Sequence, residues 1–509
     1  MTVCINTDSD GHDETMSHSE IERELKFDVD PKFVLPRLES ALPSGGQLET
    51  SSQHLRSDYY DTADHALLRS RMTLRRRTGT NDTGWQLKVP HEPFREEIRI
   101  DDVSDHIPEE LTRLLLGISG GRDLGHIASV VTERTVTRLL NAEGRTLAEV
   151  ADDSVNASSS TGSTAVLTHW REVEVELADD ETELLYALGK RLRRAGARPS
   201  ASASKLARAL PDEERPDEER SSTKRPRKLT AGDVVGAYIA EQYHVIVAGD
   251  LALRRDDDSV IHKTRVATRR LRSTLRVFGS LFDPDRAAWL DGELRWLAAL
   301  LGEVRDRQVL RKRLDTMIGE VDDTLLLGPV RARVDTELRQ EQREHWQRLQ
   351  HELTQDRYLT LVSEIADWVQ APPVTARAAR PAKTVATSVE RANHQVTRKL
   401  AKANRTGDVH RLHSARKAAK RARYAAESAQ PITGASAARK QADRYQKLQD
   451  LLGEHQDSLV SADLIRRLGS KAGTTPGENG FAFGILHERE EQKARVARAQ
   501  ARKVAKRYG

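Results

Sequence analysis

Glu22, Glu24 and Lys26 occupy alternate positions of one segment. Alternate residues of a β-strand share a face, so two carboxylates and an ammonium project together. The pattern recurs in Arg75 and Arg77, in Arg95, Glu97 and Arg99, in Arg134 and Arg138, and in Glu172, Glu174 and Glu176, while Lys88 stands on the polar side of Trp85–Val89. Glutamates crowded on one face repel unless a cation relieves them. Carboxylates are the hard oxygen ligands of Mg²⁺ or Mn²⁺, and arginine forks and lysine point charges match phosphate oxygens. A channel lined by both suits a metal-bound polyphosphate, whose charges must be neutralised and positioned before phosphoryl transfer to water. For any one such strand the plain alternative is a half-exposed sheet with a wet polar face.

A second chemistry lies further along the chain. His262, Arg265, Arg269, Arg272 and Arg276 follow one another at spacings of 3, 4, 3 and 4, which keeps them on one helical face, and His413, Arg416, Lys420 and Arg423 repeat the stripe. So many like charges repel unless an anion or acidic partner lies against them. The histidines serve an anion best when protonated. A solvated face of an Arg-rich helix is the plain alternative for a single stripe, and duplication argues against it. Ile261–Arg272 aligns without gaps with Leu412–Arg423, and Leu300–Asp306 aligns with Leu451–Asp457, both at an offset of 151 residues. The shared offset indicates an internal duplication, read as two helical bundles related by a pseudo-twofold axis.

The elements that must position these residues follow from patterning. Period-two alternation marks Glu20–Asp28, Thr73–Arg77, Trp85–Val89, Arg95–Ile100, Arg134–Leu140, Thr146–Ala151 and His169–Leu177, separated by turn-rich stretches such as Thr78–Gly84 and Asn156–Thr164. This predicts a meandering antiparallel sheet or barrel, with helices at Pro31–Leu42 and Glu183–Ala195 packed outside it. Runs poor in Gly and Pro predict helical bundles over Asp233–Ala248, Arg286–Leu314, Val330–Gln370, Lys383–Arg405 and Arg439–Leu468. The Pro-bearing gap Ala371–Pro381 divides this half into repeats 231–370 and 383–505. The charged, proline-punctuated stretch Pro211–Lys228, with its duplicated PDEER, reads as a linker within 211–230, and residues 1–18 read as a disordered N-terminus.

The 509 residues carry 82 Lys+Arg against 78 Asp+Glu, a net +4. This average conceals two unlike halves: residues 1–210 hold 26 bases and 36 acids, and residues 211–509 hold 56 and 42. No run approaches the roughly 18 uninterrupted apolar residues of a membrane span, and the N-terminus lacks the order of a signal peptide, so a cytoplasmic, membrane-free protein is expected. The single cysteine, Cys4, excludes an intrachain disulfide framework and a Cys-based zinc site.

Glu22-x-Glu24-x-Lys26, Tyr59-Tyr60-Asp61-Thr62, Leu74-Arg75-Arg76-Arg77, Lys88, Arg95-Glu96-Glu97, Glu172-x-Glu174-x-Glu176 and Ser204-Lys205 occur in an order that resembles the CYTH domain of the triphosphate tunnel metalloenzymes, over residues 19–210. That family includes inorganic triphosphatases, thiamine triphosphatases and class IV adenylate cyclases. The resemblance implies an eight-stranded antiparallel β-barrel tunnel with flanking helices that binds a triphosphate with Mg²⁺ or Mn²⁺. Carried over by position, Glu22, Glu24, Glu172 and Glu174 hold metal, and Lys26, Arg75, Arg77, Lys88, Arg138 and Lys205 bind phosphate, with Lys26 alternatively tuning the attacking water. The family's middle-strand aspartate falls on Asp152 or Asp153, with Asp152 taken as the ligand. Arg134 competes with Arg138, and Glu176 is either a ligand or solvent-facing.

His262-x-x-Arg265 with Arg269-Arg270-x-Arg272, its echo at His413, and the Leu-Leu-Gly-Glu-x-x-Asp segments ending at Asp306 and Asp457 resemble a CHAD domain over 231–505. The resemblance implies an all-α, duplicated pair of four-helix bundles associated with inorganic polyphosphate, an α+β chain overall. The polyphosphate-binding set is His262, Arg265, Arg269, Arg272, His413, Arg416, Lys420 and Arg423, with Asp306 and Asp457 orienting stripe arginines. The expected function is metal-dependent hydrolysis of triphosphate in the tunnel and polyphosphate binding by the helices, with recruitment to polyphosphate granules. The alternatives are a non-catalytic polyphosphate binder and cyclase-like or thiamine triphosphatase activity. Nucleic acid is a rival ligand, disfavoured by the scarcity of aromatics beside the stripes.

Overall fold

The computed structural model describes residues 17–79, 83–91, 93–161, 164–178, 182–211, 228–406 and 408–508. The chain divides into two compact units, Met1–Arg225 and Pro226–Gly509. The expected N-terminus 1–18 and linker 211–230 lie almost wholly outside the described residues.

The first unit is a closed antiparallel barrel of eight strands: β1 (Ser17–Asp28), β2 (Gln47–Asp61), β3 (Thr73–Thr78), β4 (Gly84–His91), β5 (Phe94–Ile100), β6 (Gly125–Leu140), β7 (Thr146–Thr161) and β8 (Thr164–Leu177). The order β5-β4-β3-β2-β6-β7-β8-β1 closes through β1 against β5, and the two-residue β9 (Arg198–Pro199) pairs antiparallel with the end of β1. Around it lie α1 (Ala66–Arg69), α2 (Glu109–Ser119), α3 (Thr182–Arg194) and α4 (Lys205–Ala209). Closure leaves no free barrel edge and sends alternate side chains inward. The apolar set of β1, β6, β7 and β8 therefore faces out, where Phe27, Leu139, Val150, Val173 and Val175 pack with Leu185, Leu188 and Leu192 of α3.

One strand was not expected and two expectations are corrected here. β2 carries no apolar alternation over Gln47–Gln53, because Leu48 is its one apolar residue there and Glu49–Ser52 are exposed on both faces. Most of Asn156–Thr164, expected as a turn, continues β7 and opens β8, and Ser159 donates to the Ala209 carbonyl at 3.0 Å. Pro31–Leu42 is not a helix: Pro36 forbids a continuous one, leaving a single 3₁₀ turn at Glu39–Ala41 while Phe33 and Leu38 join the α3 core.

The second unit is all-helical. Its elements are α5 (Ala231–Arg254), α6 (Ile261–Phe278), α7 (Pro284–Gly319), α8 (Val330–Glu352), α9 (Asp356–Gln370), α10 (Thr384–Thr406), α11 (Val409–Ser428), α12 (Gln430–Thr433), α13 (Ala435–Asp443), α14 (Gln446–Ala472) and α15 (Phe481–Tyr508). The 36-residue α7 starts at Pro284, with Asp283 capping the amides of Asp285 and Arg286. The run expected over Val330–Gln370 breaks at Leu353–Gln355, whose Leu353 carbonyl accepts from the buried Arg254 at 2.8 Å. The stretch Arg439–Leu468 likewise divides, at Arg444–Tyr445 between α13 and α14. One core joins α10, α11, α14 and α15, and another joins α7, α8, α14 and α15. Among the described residues no helix is long and apolar enough to cross a membrane.

Candidate functional site

Barrel register brings the charged strand faces into one lumen. Lys26 on β1 is the partner of Glu174 on β8, and Glu24 is the partner of Glu176. Asp153 on β7 stands between Glu172 and Arg134. Lys88 on β4 faces Glu97 on β5. The resulting cavity, of about 620 Å³, is lined by Glu22, Glu24, Lys26, Arg75, Arg77, Lys88, Arg134, Arg138, Glu174, Glu176 and Lys205 among others.

On one wall, the Lys205 ammonium lies 3.0 Å from Asp153, 2.7 Å from Glu172 and 2.8 Å from Glu174. Lys205 is placed by α4, whose N-cap Ser204 accepts from the amide of Ala207 at 3.1 Å. Arg134 forks onto Asp153 with two 2.7 Å bonds and reaches Glu174 at 2.7 Å. Lys26 joins Glu24 at 2.7 Å and also Glu174. Burial alone would raise Glu174, but Lys205, Lys26 and Arg134 hold it well below the usual carboxylate range. On the other wall, Lys88 contacts Glu22 at 2.6 Å and Glu97 at 3.3 Å, while Arg75 meets Gln86 at 2.7 Å and Glu97 at 3.4 Å. Burial and the nearby cations Arg75 and Arg134 bring Arg77 down to about 10.

The donor set fits a divalent cation. Asp153, Glu172 and Glu174 are buried, with ligand oxygens within 4.8 Å of one another. Beside Glu22 and Glu24, burial and the charges of Glu22, Glu24 and Glu97 push Glu176 up to about 8. Burial likewise raises Glu22. Clustered carboxylates are the hard oxygen donors that Mg²⁺ or Mn²⁺ prefers.

Two sequence assignments change. Asp152 projects away from the lumen and pairs with Arg171 at 2.7 Å, so Asp153 is the aspartate of the acidic cluster. Arg138 sits at the rim, 36% exposed and bound to Glu149 at 2.7 Å, whereas Arg134 is the deep arginine. Glu176 faces the cavity. The sequence placed Glu97 on a face with Arg95 and Arg99 and put Tyr59 in a motif without giving either a role, and it missed Gln86, which was detectable as a same-face neighbour of Lys88. The Tyr59-Tyr60-Asp61-Thr62 motif divides its work: Tyr59 lines the cavity, and Asp61 accepts from the amides of Thr62, Leu67 and Leu68 to anchor α1.

In the helical unit, α6 and α11 pack together, with Arg270 bridging to Glu427 at 3.0 Å. Arg265 and Arg269 of α6 share a neighbourhood with Arg416 and Lys420 of α11. Burial and those three arginines bring Lys420 down to about 7, against the opposing charge of Asp457. The Leu-Leu-Gly-Glu segments explain themselves here. A Cβ on Gly302 would lie 3.3 Å from the Arg265 guanidinium, and one on Gly453 3.2 Å from that of Arg416, so each glycine leaves an arginine room against the next helix. Asp306 pairs with Arg265 at 3.5 Å. Arg272 and Arg423 are engaged elsewhere, with Asp291 at 3.3 Å and Glu427 at 2.9 Å. The two histidines differ in setting: His262 is exposed, and His413 stacks on His455 with centroids 5.9 Å apart.

An uncharacterized protein of Mycobacterium tuberculosis, found in strains CDC 1551 and H37Rv, is 34% identical over 512 residues, covering 95% of each chain. PptA from Streptomyces chartreusis is 19% identical, with a TM-score of 0.46 over 55% of this chain and 99% of its own. The CHAD domain from the plant Ricinus communis is 22% identical, with a TM-score of 0.40 over 55% of this chain and 95% of its own. Family models match the CYTH domain at residues 20–210 and the CHAD domain at 237–466. The chain thus belongs to the CYTH family, with a CHAD domain following its tunnel.

Proposed function

We propose that the barrel hydrolyses inorganic triphosphate or a similarly short linear polyphosphate with Mg²⁺ or Mn²⁺, and that the helical unit binds inorganic polyphosphate. The observation that carries the reading is a closed lumen in which Lys26, Arg75, Arg77, Lys88, Arg134 and Lys205 interleave with two groups of carboxylates. Glu22, Glu24, Asp153, Glu172 and Glu174 would hold the metal, which when bound polarises the phosphoryl group and acidifies the attacking water. The protein's own cations neutralise the substrate oxygens and align the chain along the tunnel. Arg134 and Lys205 are positioned by Asp153, and Lys88 and Arg75 by Glu97. Among the lining residues Tyr59 is the single aromatic and is itself only 3% exposed, which supports a substrate without a base to stack. A cytoplasmic location and recruitment to polyphosphate deposits go with this reading.

The test is phosphate release from tripolyphosphate with Mg²⁺ or Mn²⁺. Wild type turns over, and Glu22→Gln/Glu24→Gln falls to the metal-free background. Absence of metal-dependent turnover in wild type overturns the enzyme reading, and cyclic AMP formed from ATP would replace it with the cyclase one.

A further inference from the structure

A groove of about 450 Å³ between α7, α14 and α15 lies apart from the stripes, lined by Arg305, Lys312, Arg313, Lys493, Glu454 and Val309 among others. Arg313 is saturated: it bonds Glu454 at 2.7 Å, Glu490 at 2.7 Å and Ser458 at 2.8 Å, and so ties α7 to α14 and α15. The remaining cations are not so engaged. Arg305 bonds Gln308 at 3.1 Å, and Lys493 comes no nearer to Glu490 than 3.8 Å. Among the described residues no carboxylate pairs with Arg305 or Lys312. The groove therefore presents cation in excess on an open, water-accessible face, which favours an anion.

Two observations specify which anion. Gln308 on the groove wall donates to Asp258 at 2.9 Å, in the turn that leads into α6 and its His262, and burial with the charge of Arg305 lowers that histidine, so the groove adjoins the head of the α6 stripe. The residues are also one-sided: 151 positions on from Arg305, Lys312 and Arg313 stand Gln456, Asp463 and Leu464, so the duplication that made the stripes did not make the groove. A small oxyanion occupies one or two cations, whereas a long flexible polyanion held on the stripe reaches the groove at high effective concentration.

We propose that this groove is a second contact segment for inorganic polyphosphate, entered from the His262 end of α6, so that the protein holds long chains more tightly than short ones. This rests on the stripes being a polyphosphate surface. The test titrates full-length wild type and Lys312→Ala/Lys493→Ala with long-chain and short-chain inorganic polyphosphate at several salt concentrations. For long chains, the variant's Kd rises about tenfold and its slope of log affinity against log salt becomes shallower by roughly two, one per lost phosphate contact. For short chains nothing changes. A variant that binds long chains with unchanged Kd and slope removes the groove and leaves the stripe reading standing. Failure of wild type to bind long polyphosphate, or its preference for single-stranded DNA, removes both.

Discussion

Because β7 alternates its side chains, Asp153 enters the lumen to meet Arg134 and Lys205 while Asp152 leaves it to meet Arg171. The two neighbours consequently differ in effect. Asp153→Asn removes the group that orients a buried arginine and lysine, and loss of such supporting contacts typically costs roughly 10- to 100-fold in activity. Steady-state release of phosphate from tripolyphosphate should fall by that factor in Asp153→Asn and remain at the wild-type level in Asp152→Asn. A wild-type rate for Asp153→Asn would show that Lys205 and Arg134 keep their places without it.

At the scale of elements, α6 and α11 press two cationic stripes together, and Lys420 bears the consequence. Its titration falls from the ordinary 10.5 to about 7 through burial and the charges of Arg269, Arg416 and Arg265, which Asp457 only partly offsets. An anion on the stripes restores the ammonium, so binding takes up a proton between these two limits. Affinity for polyphosphate should decline as pH rises through about 7 and above, and Lys420→Arg should flatten that decline because guanidinium stays charged. Calorimetry in buffers of different ionisation enthalpy reads the proton directly. Stability follows the opposite sign. A lowered lysine pKa favours the fold most above the ordinary 10.5, and that contribution is lost as pH falls from there to about 7, so without anion the helical unit loses stability across this range.

For the whole molecule, the chain folds as two compact units, and the proposed function assigns hydrolysis to one and polyphosphate binding to the other. Arg265→Ala/Arg269→Ala/Arg416→Ala/Lys420→Ala should abolish retention on immobilised polyphosphate and leave tripolyphosphate turnover unchanged. The Glu22→Gln/Glu24→Gln variant should do the reverse. Loss of both properties in either variant would mean that the two units act as one binding device.

The charge alternation on the strands, the stripe spacing on the helices and the 151-residue repeat are all properties of local geometry, since period two and period 3.6 fix which residues share a face. They were enough to mark the barrel, the helical unit and most of the residues that line the lumen. Three matters depended on long-range pairing. β2 was invisible because Leu48 is the one apolar residue of Gln47–Gln53 and Glu49–Ser52 are exposed on both faces, so no apolar rhythm sets off its lumen side. The choice of Asp153 over Asp152 and of Arg134 over Arg138 required strand register and depth in the barrel, which closure sets and neighbouring residues do not. The sharing of one basic neighbourhood by Arg265, Arg269, Arg416 and Lys420 arises where α6 packs on α11, between segments 151 residues apart. Sequence alone determined the kinds of charge and their faces; only the tertiary structure decided which opposite charges meet, because burial and distance set the strength of every ion pair.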